Sequence, residues 1–374
     1  METFNVHMPT RLWVGHGVIN TIKHFDIDAR RVIIVTSDKT YTNNKDVLHR
    51  IMKHLETLSI EYSVFDTFSV PLKKEDVFRG REKAETKNAD AIIAIGGGRV
   101  LDLGKMIARF AYEENDALDA WMFSKAVPPF NTEGLPLIAV PTSLNNASAF
   151  NPKTFLHDSA NERRVRFKHE SLFPLRAIMD PANLESLDSL SKESAVSELL
   201  VRSIELLIDP ISIHHYTMAR SALEYLLKGT LENDNASLAY ASFLINTLYL
   251  PKPKFPLHQI NDAIEGAHPA LPFAGFLKEA AVPYLEHRLE KLSDNGEATI
   301  QSVLKDSPYA SNNVYVALKD WLADINKTKL NLHRYQCEAS MISEYTVHLK
   351  TIYPNFKALD DTALYTIMEA ALIR

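Results

Sequence analysis

The stretch ADAIIAIGGGRVLDLGK, residues 89–105, decides how this chain is read. Its first part, ADAIIAI (89–95), is a continuous apolar run of the kind buried on both faces in parallel sheets, and it ends in Gly96, Gly97 and Gly98. VLDLGKMIARF (100–110) follows, with apolar positions at helical spacing. A strand that passes through glycines into a helix lets backbone approach a ligand closely, and the helix N-terminus offers unpaired N–H groups and positive dipole to a phosphate. The spacing is neither the G-x-G-x-x-G fingerprint nor a P-loop, so a tight strand-to-helix turn with no ligand is the competing reading. Arg99 stands where a small residue is the easy choice beside a phosphate.

Outward from this loop, RVIIVTS (31–37), EYSVFD (61–66) and LPLIAVP (135–141) also read as strands. DVLHRIMKHLETL (46–58) and KEDVFRGREKAETK (74–87) carry helical periodicity between them. Alternation of this kind predicts an α/β unit with an open parallel sheet and helices on both faces. After Asp180-Pro181 the β-rich runs almost vanish, and KESAVSELLVRSIELLI (192–208), ALEYLLKGTLEN (222–233), ASLAYASFLINTLYL (236–250) and TALYTIMEAALI (362–373) read as helices. A chain of 374 residues fits two domains, here an α/β domain over 1–180 and an all-helical domain over 181–374.

Composition narrows the partners. With 41 basic against 47 acidic residues, a net charge of -6 and no long Lys/Arg block, nucleic acid is not expected. The first residues, METFNVHMPTRLW, lack the pattern of a secretory leader, and no run reaches the roughly 18 apolar residues that span a bilayer, so a cytoplasmic protein without a membrane partner is expected. Cys337 is the single cysteine, which excludes internal disulfides and a cysteine-cluster metal site; RYQCEASMI around it reads as a polar-flanked helix rather than a nucleophile's setting.

Gly96-Gly97-Gly98 followed by Asp102 and Lys105 resembles the GGGS-x-x-D-x-x-K signature of the iron-containing alcohol dehydrogenase family, whose superfamily includes glycerol dehydrogenase and dehydroquinate synthase. FNVHMPTRLWVGHGVINTI (4–22), RVIIVTSDKTY (31–41), LPLIAVPTSLNNASAF (135–150), AIMDPANLESL (177–187) and LDDTALYTIMEAALI (359–373) are similar to further family segments in the same order. The resemblance implies a dehydroquinate synthase-like fold: an NAD(P)-binding α/β domain, an all-α domain, and a cleft where hydride passes between nicotinamide and an alcohol or carbonyl. Asp38 matches the acidic residue that hydrogen-bonds an adenosine ribose, which favours NAD with NADP as the alternative; a loop aspartate making an Asx-turn is the other reading. Thr142 and Ser143 match the family's cofactor-contacting pair and join Gly96, Gly97, Gly98, Arg99, Asp102 and Lys105 as candidate cofactor residues. Relatives pair through their N-terminal strands, so a homodimer is implied.

The chain also departs from the family. Arg99 replaces the loop serine, and Asn145-Asn146-Ala147-Ser148-Ala149 stands for G-T-G-S-E. The added cation either strengthens phosphate binding or fills the cofactor groove. The family's metal-binding D-A-x-x-H becomes Glu198 and Arg202, and arginine has no lone pair to offer. For the third ligand two registers compete: in the better match, His268-Pro269 ends the motif and Ile264 takes the ligand's place, whereas His258-x-x-x-Asp262 keeps the ligand. Phe273 replaces the last histidine. This donor set falls short of three protein ligands, so no family-type metal is expected.

Without the ion, Arg202 offers a permanent cation to polarise a carbonyl or pair with a substrate anion, or else plugs the site through Glu198 or Glu205. His268, or His258 in the other register, is the candidate general acid-base. NERRVRFKHE (161–170) reads as a β-ribbon with Arg164, Arg166 and Lys168 on one face; Arg164 falls near a lysine that relatives carry close to cofactor and substrate, so an anionic small-molecule substrate is expected if that face points into the cleft, and an ordinary exposed basic strand is the other reading. The leading expectation is an NAD(P)-dependent oxidoreductase interconverting an alcohol and a carbonyl without a metal. The rivals are a catalytically silent relative kept as a binding or structural protein, and a conventional metal-dependent enzyme with substituted ligands.

Overall fold

The apolar runs become the centre of a sheet. In the computed structural model, which describes residues 7–37, 45–123, 127, 129–161, 163–248 and 255–373, RVIIV forms β2 (Arg31–Val35) and AIIAIG forms β4 (Ala91–Gly96). β5 is Leu137–Pro141, and β1 (Arg11–Val14), β3 (Glu61–Phe65) and β8 (Arg176–Met179) complete the sheet. The order is β1-β8-β5-β4-β2-β3 and all neighbouring strands run parallel. β4 and β5 are buried at every position, as interior parallel strands are, while the edge strands β1 and β3 are only partly covered.

Helices α1 (Lys45–Thr57), α2 (Lys74–Thr86), α3 (Gly98–Phe110) and α4 (Asn115–Phe123) belong to the same unit. On one face, Val47, Leu48, Ile51 and Leu55 of α1 pack with Val32, Ile34, Ile93, Ile95, Ile138 and Val140 of the sheet. α3 presses onto β4 so closely that a Cβ on Gly104 would lie 2.6 Å from Ala94 Cβ. The chain leaves β2 for β3 on one side and returns to β4 on the other. The strand order therefore reverses between β2 and β4, the kind of switch point at which open α/β sheets bind ligands beyond the strands' carboxyl ends. The glycine loop closes β4 there.

β6 (Lys153–Asp158) and β7 (Arg163–Lys168) form a separate antiparallel ribbon, as the basic segment implied. After β8, no strand occurs among the described residues. Helices α5 (Ser189–Ile208), α6 (Ile213–Leu231), α7 (Asn235–Asn246), α8 (Pro256–Ala267), α9 (Gly275–Arg288), α10 (Asp294–Leu304), α11 (Val314–Ile325), α12 (Ile342–Ile352) and α13 (Asp361–Leu372) follow. His7–Leu187 and Asp188–Arg374 form two compact units. The division falls later than Pro181 because Asn183 Nδ2 donates to Pro141 O at 3.5 Å and Asp180 accepts from Ile19 N at 3.3 Å, tying this turn to the sheet.

One local expectation is corrected. Cys337 lies between short turns, after Gln336 at φ 61°, and not in a helix. It is fully buried, and that burial pushes its thiol up to about 12. No described helix is long and apolar enough to cross a membrane.

Candidate functional site

The glycine loop is built by packing and then left open at one end. A Cβ on Gly96 would fall 2.6 Å from Val100 Cγ2, so this glycine is required by its own helix. Gly97 and Gly98 are looser: their Cβ atoms would meet Ser143 Oγ at 3.4 Å and Asn145 O at 3.2 Å. Gly97 is the N-cap of α3, and no side chain caps the helix. Thr142 N donates to Gly96 O at 3.0 Å and holds the β5 loop alongside. Ser143 Oγ is shielded from solvent and has no hydrogen-bond partner among the described residues. An uncapped helix N-terminus with an orphaned hydroxyl beside its cap is a donor set that fits a diphosphate. Arg99, half-buried, stands in the first turn. Asp38 lies outside the described residues.

Asp102 and Lys105 point the other way. Lys105, 1% exposed, donates from Nζ to Asn151 O at 2.6 Å and to Lys153 O at 2.8 Å. Asp102 accepts from Ser148, and its backbone carbonyl accepts from Thr154 Oγ1 at 3.2 Å. Burial pushes the Asp102 carboxyl up and the Lys105 ammonium down to about 7, each partly offset by the other's charge. Lys105 thus anchors the start of the β6–β7 ribbon to α3, helped by Thr154 on the Asp102 carbonyl, while the Asp102 carboxylate holds Ser148 in the turn after β5; Ser148 and Thr154 are partners the sequence did not disclose.

In the helical unit, Glu198 and Arg202 share one face of α5. Arg202 Nη1 lies 3.6 Å from Glu198 Oε1, and His258 Nδ1 of α8 lies 3.5 Å from the same oxygen. Arg202 Nη1 also donates to Asn246 Oδ1 at 2.6 Å, Nη2 donates to Ile245 O at 3.3 Å, and the guanidinium sits 5.0 Å from the Phe255 ring centroid. Burial lowers the Arg202 pKa against the pull of Glu198, yet guanidinium stays charged. Phe273 packs edge-on to His258 with centroids 6.5 Å apart. Glu205 belongs elsewhere: it takes a two-pronged ion pair from Arg288 at 2.9 and 3.0 Å and a hydrogen bond from Tyr284.

Of the two candidate histidines, the one that lies beside Glu198 is His258. Ile264 is fully buried. His268 is the C-cap of α8 and its Nε2 bonds Tyr345 Oη at 2.7 Å. Asn246, the last residue of α7, was missed; an asparagine closing the apolar run ASLAYASFLIN was its signal.

The donors at Glu198 do not fit a divalent ion. Arg202 cannot ligate and Phe273 has no donor, which among the described residues leaves Glu198 and His258 where three protein ligands are wanted. Among the described residues no three His, Cys, Asp or Glu side chains converge into a metal-binding group.

Comparison with known proteins places this geometry in a family setting. Residues 9–181 match the family model of iron-containing alcohol dehydrogenases. A mitochondrial hydroxyacid-oxoacid transhydrogenase of Caenorhabditis elegans is 29% identical over 179 residues, 47% of this chain and 37% of that protein's length. An NAD-dependent methanol dehydrogenase of Bacillus methanolicus is 20% identical over 71% of both chains. The structure of an alcohol dehydrogenase from Oenococcus oeni superposes with a TM-score of 0.83 at 15% identity, covering 99% of this chain and 100% of the other. The dehydroquinate synthase-like fold expected from the glycine signature is therefore the fold of the protein.

Proposed function

From a chain of the iron-containing alcohol dehydrogenase family, as residues 9–181 mark it, we propose a nicotinamide-dependent oxidoreductase that interconverts an alcohol and a carbonyl without a bound metal. The observation that carries the reading is the open, uncapped dinucleotide loop of the α/β unit; within the helical unit a guanidinium stands beside Glu198 where the family pattern has a metal ligand. Gly97, Gly98, the start of α3 and Ser143 hold the diphosphate, and Arg99 adds a charge-assisted contact. When bound, the nicotinamide supplies or accepts the hydride. Arg202 stabilises negative charge on the substrate oxygen, a term worth several kcal/mol when a cation is preorganised in a dry site. His258 moves the proton, and Glu198 holds both groups. Relatives named for hydroxyacid–oxoacid chemistry support an anionic substrate. NAD is the preferred cofactor because relatives are named for it. A homodimer and a cytoplasmic location, which suits a chain with one cysteine, belong to the same reading.

The test is turnover by chelator-treated enzyme. NADH oxidation with a panel of neutral, carboxylated and phosphorylated aldehydes and ketones is expected to proceed without added metal, and to fall by at least about 100-fold in Arg202→Met, the loss expected of one electrostatic donor. Activity that appears only with a divalent ion restores the metal-dependent reading. The silent reading draws on Arg202 being bonded to Asn246 and Ile245; it requires that no nicotinamide binds.

A further inference from the structure

Within the α/β unit, one buried polar atom remains unused by that chemistry. Asn183 lies in the short turn Pro181–Leu184 after β8 and is 1% exposed. Its Oδ1 is shielded from solvent and has no hydrogen-bond partner among the described residues. Buried side-chain oxygens are nearly always paired, so an orphaned one calls for a ligand, a water or an ion. Its surroundings are not loosely bonded throughout: Asn146, buried in the loop after β5, donates from Nδ2 to Ser143 O at 3.0 Å.

Backbone geometry locates the orphan. Gly96 and Pro141 are register partners at the ends of β4 and β5, and Thr142 N donates to Gly96 O at 3.0 Å. A trans peptide sets its N–H and C=O in opposite directions, so the Pro141 carbonyl faces away from β4 and toward β8. Asn183 Nδ2 donates to that carbonyl at 3.5 Å. Two acceptors would repel there, so Nδ2 faces Pro141 and Oδ1 is turned from it. The amide therefore lies on the β8 side of β5, one to two strand spacings, about 5–10 Å, sideways from the strand that carries the glycine loop.

We propose that Asn183 Oδ1 accepts a hydrogen bond from the carboxamide N–H of the bound nicotinamide. The inference rests on the dinucleotide reading, in which Gly97 and Gly98 hold the diphosphate and Asp38, past the end of β2, takes the adenosine ribose. β2 flanks β4 on one side, and β5 followed by β8 flanks it on the other. A dinucleotide laid across β4 with its adenosine over β2 carries its nicotinamide half over β5 and β8, where Asn183 is. The carboxamide is the far group of that half, and its NH2 needs acceptors once water is excluded. A fixed hydrogen bond at this group holds one face of the ring toward the substrate. Asn183 thus sets the ring and takes no part in moving the hydride.

The experiment titrates the full chain by calorimetry with three ligands: NAD, its 3-acetylpyridine analogue, in which a methyl replaces the carboxamide NH2, and ADP-ribose, which lacks the ring. Wild type is expected to bind NAD about tenfold more tightly than the analogue, which leaves Oδ1 unpaired. Asn183→Leu is expected to bind the two dinucleotides within about twofold of each other, and ADP-ribose within about twofold of wild type. Asn183→Ala, which deletes the same acceptor with less bulk, is expected to behave alike. A wild type that binds NAD and the analogue equally overturns the proposal. So do variants that keep the wild-type preference, and variants that weaken all three ligands equally, the mark of a ribose contact or of a structural role. In each of these cases ADP-ribose still binds wild type and the dinucleotide reading stands; a wild type that binds none of the three overturns both.

Discussion

Replacing Arg202 by leucine tests whether the guanidinium and Glu198 form one unit. The two side chains are 11% and 6% exposed and 3.6 Å apart, and Arg202 also makes the 2.6 Å bond to Asn246. Removing one partner of a buried pair costs about 3–5 kcal/mol, and a charge-assisted hydrogen bond is worth about 1.5–3. The leucine returns about 1–2 kcal/mol of apolar burial, so the net loss should be about 3 kcal/mol. For a unit of this size that is about 6–12 °C in Tm. Adding Glu198→Gln removes the charge left behind, and the double variant should recover about half of the loss. Urea and thermal unfolding of the four proteins of the cycle give the coupling directly. A single variant within about 1 °C of wild type, or a double variant no more stable than the single, refutes the pairing.

Arg202→His should create three donors, Glu198, the new imidazole and His258, so the variant is expected to take up Co(II) with the absorption of a tetrahedral site while wild type does not. Equal uptake by both proteins would contradict the donor argument. Gly96→Ala should destabilise the α/β unit, since its Cβ lands 2.6 Å from Val100, whereas Gly97→Ala should lower NADH affinity more than Tm because its Cβ meets only Ser143 within 4 Å. For Lys105 the sign follows from proton counts. The folded chain releases its proton near pH 7 and the unfolded chain near 10.5, so its contribution to stability rises with pH across that window. Lys105→Met should lose that slope in denaturation curves at pH 7, 8.5 and 10, and an unchanged slope would exclude this lysine as its source. Cys337 should resist thiol reagents until the protein unfolds, given its burial and raised pKa.

The fold was legible where one physical signal dominates. Continuous apolar runs ending in turn residues marked β2, β4 and β5, because strands buried on both faces admit little else. The helical half was legible from periodicity. Cys337 misled because RYQCEASMI has helical composition, but Gln336 in the left-handed region stops a helix there. The site was half legible. Glu198 and Arg202 announced themselves one turn apart, yet that His258 lies beside Glu198 while His268 bonds Tyr345 is a tertiary fact that motif spacing does not carry. Asp102 and Lys105 were recognisable as a signature, but the resemblance did not disclose that the Asp102 carboxylate is taken by Ser148 and the Lys105 ammonium by the carbonyls of Asn151 and Lys153.

The central claim is that this chain binds a nicotinamide dinucleotide while a guanidinium stands in for the metal. A fluorescence titration of chelator-treated protein with NADH, on a sample whose metal content is measured in the same tube, tests it most directly. Saturable binding with one site per chain and far less than one equivalent of metal is the predicted result. Binding that needs a full equivalent of divalent metal, or no binding of either nicotinamide, would contradict it.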